Sequence, residues 1–380
     1  MIERMKILYI LATGLMGGVE RHVHCLVKTI NLLSEGKGGR SLISYKVSVR
    51  ILIIGKLGPI GDAMAADGVD VIAFGCNSGH DWRMLPKMRQ LLRGWQPDVV
   101  CMQGLIFLPA LYFKLFDRRT PLIRSIHTCV KPSNKLIHCL WGWLGRRVDW
   151  HLPVSMATWK SFVKVYPWAI DKGEVFYNPL CISTLPAKVR RCEIDSKQHF
   201  IVGMVGRMAE VKDWPSFIEV CHSIHLKMAN VEFWAIGDGP LFEDLKRLAE
   251  KKNVPICWLG QRNDAQSLIG NMDVLLMTSK NEQLPTVVLE AFGMRTAICG
   301  FVPDGGTQEI LSFSDGPLKD VFIKSRAPNE LAGRVLSLLQ DEQRLSDVVE
   351  DGWQILNKHF SAERLVLDKL LGTFQRLISQ

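Results

Sequence analysis

The stretch "FIVGMVGRMAEVKD", residues 200–213, decides the fold. Its apolar run 200–206 reads as a fully buried strand, and its glycines mark the turn that ends it. The segment 214–228, WPSFIEVCHSIHLKM, then reads as a helix. A strand that starts afresh here, after the polar STLPAKVRRCEIDSKQH of 183–199, marks the beginning of a second domain. Upstream, strand candidates lie at 6–12, 48–54, 70–74, 98–103, 122–128 and 150–155, separated by helical segments such as VERHVHCLVKTINLL (19–33). Downstream they continue at 231–237, 256–260, 273–279 and 296–301. Strand–helix alternation of this kind predicts parallel sheets covered on both faces. The expected architecture is α/β, with two doubly wound Rossmann-like domains facing across a cleft. Their expected bounds are 1–182 and 200–361, with a linker at 183–199 and a C-terminal helix at 362–380 that packs back on the first domain.

The bulk composition fits that size. At 380 residues the chain exceeds one ordinary core, and its 47% hydrophobic and 22% charged content is globular. No apolar run approaches the ~20 residues of a membrane span; the longest, LIFLPALYF (105–113), is short and broken by Pro109. The start, MIERMKILYILATG, lacks the layout of a signal peptide, which predicts that it is retained and that the chain is cytoplasmic. Ten cysteines form no C-x-x-C pair and no Cys/His ligand spacing, so buried reduced thiols are expected rather than zinc or disulfides. The net charge of +9 is uneven: residues 1–185 hold 24 Lys and Arg against 12 Asp and Glu, and residues 186–380 hold 23 against 26. Seven of the eleven tryptophans also lie in the first half. A basic, tryptophan-rich half is suited to an anionic partner such as a lipid surface or a phosphorylated acceptor.

In doubly wound sheets, ligands bind at the carboxyl ends of the strands, so the chemistry is sought in those loops. After the first strand comes ATGLMGGVERH, where Gly17 and Gly18 allow a tight turn at a helix start. It is not G-x-G-x-x-G, and a turn that merely needs glycine is an equal reading. In GMVGRMAEVKD, Arg207 and Lys212 stand just past a strand, where a bidentate fork and a point charge suit a diphosphate. Solvated surface charge is the competing reading. In NEQLPTVVLEAF (281–292), a helix starting near Pro285 leaves Glu282 in the loop and puts Glu290 in its second turn. Carboxylates there suit sugar or ribose hydroxyls; a helix cap and a solvated face are the plain alternatives. Glu290 nevertheless lies in the apolar run VVLEAFGM, where a carboxylate needs a partner. GFVPDGGTQEI adds a further glycine turn, with Glu309 near a helix start.

Together these pieces resemble glycosyltransferase family 4, the retaining enzymes of the GT-B fold. The resemblance runs through GGVE (17–20), SIHT (125–128), VS (154–155), YNP (177–179), GRMAEVKD (206–213), GDGPL (237–241), SKNEQLPTVVLEA (279–291) and GG-x-x-E (305–309). It implies that Arg207 and Lys212 neutralise the donor diphosphate, that Glu290 holds the ribose hydroxyls and that Glu282 lies near the transferred sugar. It also implies that Gln283, Leu284 and Pro285 meet the donor through their backbone, that Gly17 and Gly18 lie against the diphosphate-sugar, and that His127 is near the reacting sugar. By that resemblance the donor is a UDP- or GDP-sugar, with no metal and no other cofactor. Departures from the family pattern stand at Asp213, at Arg295 and Ala297 in EAFGMRTAI, and at Pro179 after Asn178. Asp213 could offset the local positive charge, and Arg295 stands where a tight turn is usual.

The expected activity is transfer of a sugar to a hydroxyl of a growing, lipid-linked cell-surface glycan of lipopolysaccharide, O-antigen or capsule type. The cation–aromatic stretches 131–151 and 159–168 are consistent with peripheral contact to an anionic inner membrane face, or with a solvated basic face over core tryptophans. Nucleotide-sugar epimerisation on a similar fold would need a carboxylate pair in the first half, and none is legible. A catalytically degenerate binding subunit rests only on Arg295 and Asp213. No nucleic-acid motif appears.

Overall fold

The computed structural model describes residues 4–15, 17–35, 43–130, 135–181 and 199–380. Residues 183–198 of the expected linker, and the first four residues of the 131–151 stretch, lie outside them. The chain divides into two compact units, one of residues 1–181 with 361–380 and one of 182–360. Ser361, assigned to the second domain from sequence, belongs with the first.

Among its described residues the first unit builds a six-stranded parallel sheet. Its strands are β1 (Arg4–Leu11), β2 (Lys46–Ile53), β3 (Asp70–Ala73), β4 (Val99–Gln103), β5 (Leu122–Ile126) and β6 (Trp150–Pro153), in the order β3-β2-β1-β4-β5-β6. The intervening helices are α1 (Gly18–Glu35), α2 (Gly58–Ala66), α3 (Met84–Trp95), α4 (Phe107–Leu115), α5 (Lys135–Gly145) and α6 (Met156–Val165). The runs read as buried strands are buried: Ile7, Ile51, Val99 and Ile123 sit in one core layer, Leu8, Leu52, Val100 and Leu122 in the other. Burial on both faces is what near-continuous apolar strands require. The strand order reverses between β1 and β4, which makes that edge the topological switch point.

The second unit repeats this plan. Its strands are β7 (Phe200–Val205), β8 (Val231–Ile236), β9 (Ile256–Gly260), β10 (Val274–Met277), β11 (Asn281–Glu282), β12 (Ala297–Phe301), β13 (Asp304–Gly305) and β14 (Phe322–Ile323). The main sheet runs β14-β12-β10-β7-β8-β9, with its switch point between β7 and β10. Helices α7 (Trp214–His225), α8 (Phe242–Lys251), α9 (Ala265–Gly270), α10 (Thr286–Gly293), α11 (Thr307–Ser312), α12 (Pro328–Gln340) and α13 (Glu342–Ile355) cover it. The two-residue strands β11, β13 and β14 had no legible pattern, because a pair of residues carries no period. β11 and β13 pair with each other, Glu282 opposite Gly305.

The chain end returns to the first unit. Ala362 N–H donates to the Leu180 carbonyl at 3.0 Å, and Ser361 bridges Leu180. The expected single helix at 362–380 is broken: α14 (Ala362–Leu365) passes through a π-helical turn at Val366–Leu370 into α15 (Leu371–Ile378). Val366, Leu370, Phe374 and Leu377 pack in the core layer that contains α1. Burial of such side chains contributes about 1.5–3 kcal/mol each. No helix among the described residues is long and apolar enough to cross a membrane.

Candidate functional site

The switch point of the second unit is flanked by two loops, 206–213 after β7 and 278–285 after β10. The sequence places Arg207 and Lys212 on the first, Glu282 on the second. Lys212 Nζ lies 2.5 Å from Glu282 Oε1, and both side chains are largely shielded, at 22% and 12% exposure. Residues read separately as diphosphate and sugar ligands are thus joined in one ion pair. Arg207 is exposed and makes no side-chain hydrogen bond or ion pair among the described residues. Its position is set through its backbone, since the buried Trp214 donates Nε1–H to the Arg207 carbonyl at 3.1 Å.

Backbone contacts lock the two loops together. Lys280 N–H donates to the Val211 carbonyl at 2.8 Å. The buried Thr278 hydroxyl reaches the carbonyls of Lys212 and Asp213, each at 3.0 Å. Asp213 stands between a 3-10 turn at Glu210–Lys212 and the start of α7, with φ 54° and ψ 48°. This left-handed conformation explains why glycine is usual at the position, and aspartate tolerates it better than most residues. Its carboxylate is not the ion-pair partner of Lys212. It pairs with Arg326, which also donates to the carbonyls of Thr278 and Ser279 at 2.8 and 3.0 Å. Arg326 was not anticipated, and nothing in its sequence surroundings signals the role.

A third loop holds Glu282 from the other side. Gly306 N–H donates to the Glu282 carbonyl at 2.8 Å, and Asp304 N–H to that of Lys280 at 3.0 Å. Gly305 has φ 111°, and a Cβ there would lie 2.0 Å from the Glu282 carbonyl oxygen. Only glycine permits this approach. Beyond Glu282, Gln283 donates Nε2–H to Asn281 at 2.7 Å, Leu284 is buried, and Pro285 occupies the N-cap of α10. Glu290 is buried in α10, 8% exposed, among Val288, Leu289, Ala291 and Phe292. Glu309 lies in the first turn of α11.

Arg295 is away from this group. It follows the C-terminal end of α10, whereas Glu282 precedes its N-terminal end. Its φ of 55° again explains the usual glycine. The guanidinium stacks over Trp353, 4.2 Å from the ring centroid, and pairs with Glu350 at 2.5 Å, both on α13.

In the first unit the loop after β1 brings Gly17 to the start of α1, where its carbonyl accepts from Arg21 N–H at 3.1 Å. A Cβ on Gly18 would meet nothing within 4 Å, so internal packing does not require glycine there. The glycine that packing does require is Gly14, unremarked in the sequence, whose Cβ would collide with the Leu57 carbonyl. His127 follows β5 and joins two groups from neighbouring elements. Its Nε2 lies 2.9 Å from Gln103 Oε1 at the end of β4, and its ring centroid 5.4 Å from that of His22 on α1. Burial pushes the His127 pKa down to about 4 and holds His22 well below its ordinary value. A neutral imidazole whose Nε2 donates to Gln103 keeps the Nδ1 lone pair for a hydroxyl. His22 and Gln103 line up with His127 only because the switch point gathers α1, β4 and β5; no spacing in the chain reveals it.

Residues 190–354 match the family described as "Glycosyl transferases group 1", and residues 47–183 match "Glycosyltransferase Family 4". A lipopolysaccharide core biosynthesis glycosyltransferase of Rhizobium meliloti is 24% identical over 215 residues, 56% of this chain and 58% of that protein. The N,N'-diacetylbacillosaminyl-diphospho-undecaprenol alpha-1,3-N-acetylgalactosaminyltransferase of Campylobacter jejuni is 24% identical over 219 residues, 58% and 52% of the two chains. The chain therefore spans little more than half the length of these curated relatives. Among solved structures, Anabaena Alr3699/HepE in complex with UDP and glucose superposes with a TM-score of 0.77 at 17% identity, covering 98% of this chain and 100% of that one. A glycosyltransferase from Rickettsia africae gives 0.79 at 15% identity, covering 99% of each. These likenesses establish the two-domain α/β fold of GT-B type.

Proposed function

The chain belongs to glycosyltransferase family 4, and on that premise we propose that it moves a sugar from a nucleotide-diphosphate sugar to a hydroxyl of a lipid-linked cell-surface glycan. The observation that carries this reading is the switch point of the second unit. There Arg207, exposed and unpaired among the described residues, and a shielded Lys212–Glu282 pair stand on adjoining loops at the carboxyl strand ends. A diphosphate is the anion that such a fork and point charge suit. Relatives that use diphospho-undecaprenol substrates and build lipopolysaccharide core support the glycan acceptor. A neighbour solved with UDP supports the donor class.

The chemistry follows from the groups present. Bond breaking at the anomeric carbon puts charge on the departing diphosphate, and Arg207 with Lys212 stabilises it; one such donor contributes about 2.7–4 kcal/mol to a barrier. Glu282 orients the Lys212 ammonium and offers its second oxygen to a sugar hydroxyl. Glu290 is assigned to the ribose hydroxyls, and the backbone of Gln283, Leu284 and Pro285 to sugar and phosphate. The acceptor oxygen bonds the anomeric carbon from the face that the nucleotide leaves, its proton passing to the departing diphosphate; this retains configuration and needs no covalent enzyme intermediate. His127, neutral at working pH, accepts from a hydroxyl. Contact with an anionic membrane is supported by α5, where Leu136, Ile137, Leu140 and Trp143 are all exposed and Leu136 reaches 78%.

A thermal-shift panel of UDP-, GDP- and ADP-sugars tests the donor reading. One sugar nucleotide should raise the melting temperature of the folded protein in proportion to the logarithm of its concentration. No shift with any of them sinks it.

A further inference from the structure

Arg124 is a half-buried cation of the first unit with no acidic partner among the described residues. It stands mid-strand on β5, its Nε shut off from solvent with no hydrogen-bond partner among the described residues. No ion pair to it occurs among the described residues, and its guanidinium carbon lies 5.1 Å from the centroid of the Phe162 ring. Its neighbour in register on β6 is His151, a fully buried imidazole. Burial lowers the Arg124 pKa only to about 10, so the charge persists at neutral pH. A half-buried charge without a counter-ion is unfavourable, and an apolar side chain of similar length would avoid the cost. A guanidinium placed here is suited to an anion.

There is room for one. Arg124 lines a cavity of about 240 Å³ with Leu105, Ile137, Trp141 and Tyr166. The Tyr166 hydroxyl, 3.1 Å from His138 Nδ1, supplies a second polar group on the wall. An anion with several oxygens can accept from the guanidinium fork and from that hydroxyl together. Beside the cavity, the first turns of α5 expose Lys135, Leu136, Ile137 and Leu140, a cation followed by apolar side chains with no acidic residue.

We propose that this cavity is a binding site for a phosphate group. The exposed apolar side of α5 favours a phosphate borne on an apolar chain over free phosphate. The inference rests on the reading of the acceptor as lipid-linked, and it assigns Arg124 the carrier's phosphate, leaving the sugar end to the switch-point groups.

Isothermal titration of the full chain with farnesyl phosphate, farnesol and inorganic phosphate tests it. Farnesyl phosphate should bind at least ten-fold tighter than farnesol, and Arg124→Met should abolish that difference while stabilisation by UDP stays unchanged. Arg124→Lys should recover part of it, which a purely structural role would not produce. Inorganic phosphate binding as tightly as farnesyl phosphate, and lost in Arg124→Met, supports the site and assigns free phosphate as its source. Equal binding of farnesyl phosphate to the wild type and the folded Met or Lys variants overturns the proposal. So does failure to distinguish farnesyl phosphate from farnesol. Loss of UDP stabilisation in the wild type would strike the donor reading instead.

Discussion

Lys212 Nζ and Glu282 Oε1 are 2.5 Å apart, joining the loops on either side of the second unit's switch point. The pair makes the two residues non-equivalent in a measurable way. Glu282→Gln should leave UDP affinity the same or raise it, because Lys212 is released toward phosphate, while kcat falls. Lys212→Ala should weaken UDP binding and lower kcat by about 10²–10³-fold, the usual loss for one preorganised donor. Titration with UDP and steady-state kinetics check both. A Glu282→Gln variant that loses UDP binding while keeping kcat would contradict the assignment.

Gly305 sets the backbone of Glu282. With φ 111° and the Glu282 carbonyl 2.0 Å from where a Cβ would sit, Gly305→Ala must push the strand pair β11–β13 apart. Displacement by about 1 Å in a positioned site can cost about 10²-fold in rate. The variant should remain folded, with kcat/KM reduced at least ten-fold and a small change in melting temperature.

Asp213 and Arg326 tie the same loops from beneath. Asp213→Asn keeps a residue that tolerates the left-handed conformation and removes the charge facing Arg326. Loss of a hydrogen-bonded, partly buried charge partner should cost about 1–3 kcal/mol, read as a lower midpoint in urea. An unchanged midpoint would show that Arg326 finds its carbonyl partners sufficient.

Arg295 should prove indifferent to catalysis. Arg295→Gly suits a φ of 55° and removes an exposed ion pair with Glu350 and a stack on Trp353. Such surface interactions contribute about 0–1 kcal/mol each. Activity should stay within two-fold; a larger change would reopen the role the sequence suggested for it.

The first unit should lose stability in acid. Burial holds the pKa of His127 at about 4 and that of His151 at about 3, below the ordinary 6.5. From pH 6.5 downward the unfolded chain binds protons that the native state refuses, so stability falls until the native pKa is reached. Shifts of this size correspond to roughly 3–5 kcal/mol per histidine over the whole window. Neither His151 nitrogen has a hydrogen-bond partner among the described residues. His151→Phe should therefore flatten the melting-temperature curve between pH 6.5 and 4; an unchanged slope would place the acid sensitivity elsewhere.

Much of the site was legible because function and fold use the same punctuation. The strand ending at Val205, the cations just past it and the acid before Pro285 all fall where an apolar run meets glycine or proline. Short-range chemistry marks such places without any knowledge of what lies opposite. Arg326 and Gln103 lacked that mark: one is 113 residues from Asp213 in the chain, the other 24 from His127. The partners of Arg295 and Asp213 were hidden for a related reason. A side chain at a turn shows its charge in the sequence, but its direction depends on a partner brought in from another element.

The sequence by itself determined the alternation of strands and helices, the restart at Phe200 and the family motifs, since apolar periodicity and turn residues act over a few neighbours. Only the tertiary structure decided that Lys212 bonds Glu282, that Asp213 turns to Arg326, that residues from 361 onward join the first unit and that the Nε of Arg124 is shut off with no acid beside it among the described residues. Each of these depends on which distant strands lie side by side. That is settled by the burial of both sheet faces, a property of the whole fold that no local stretch contains.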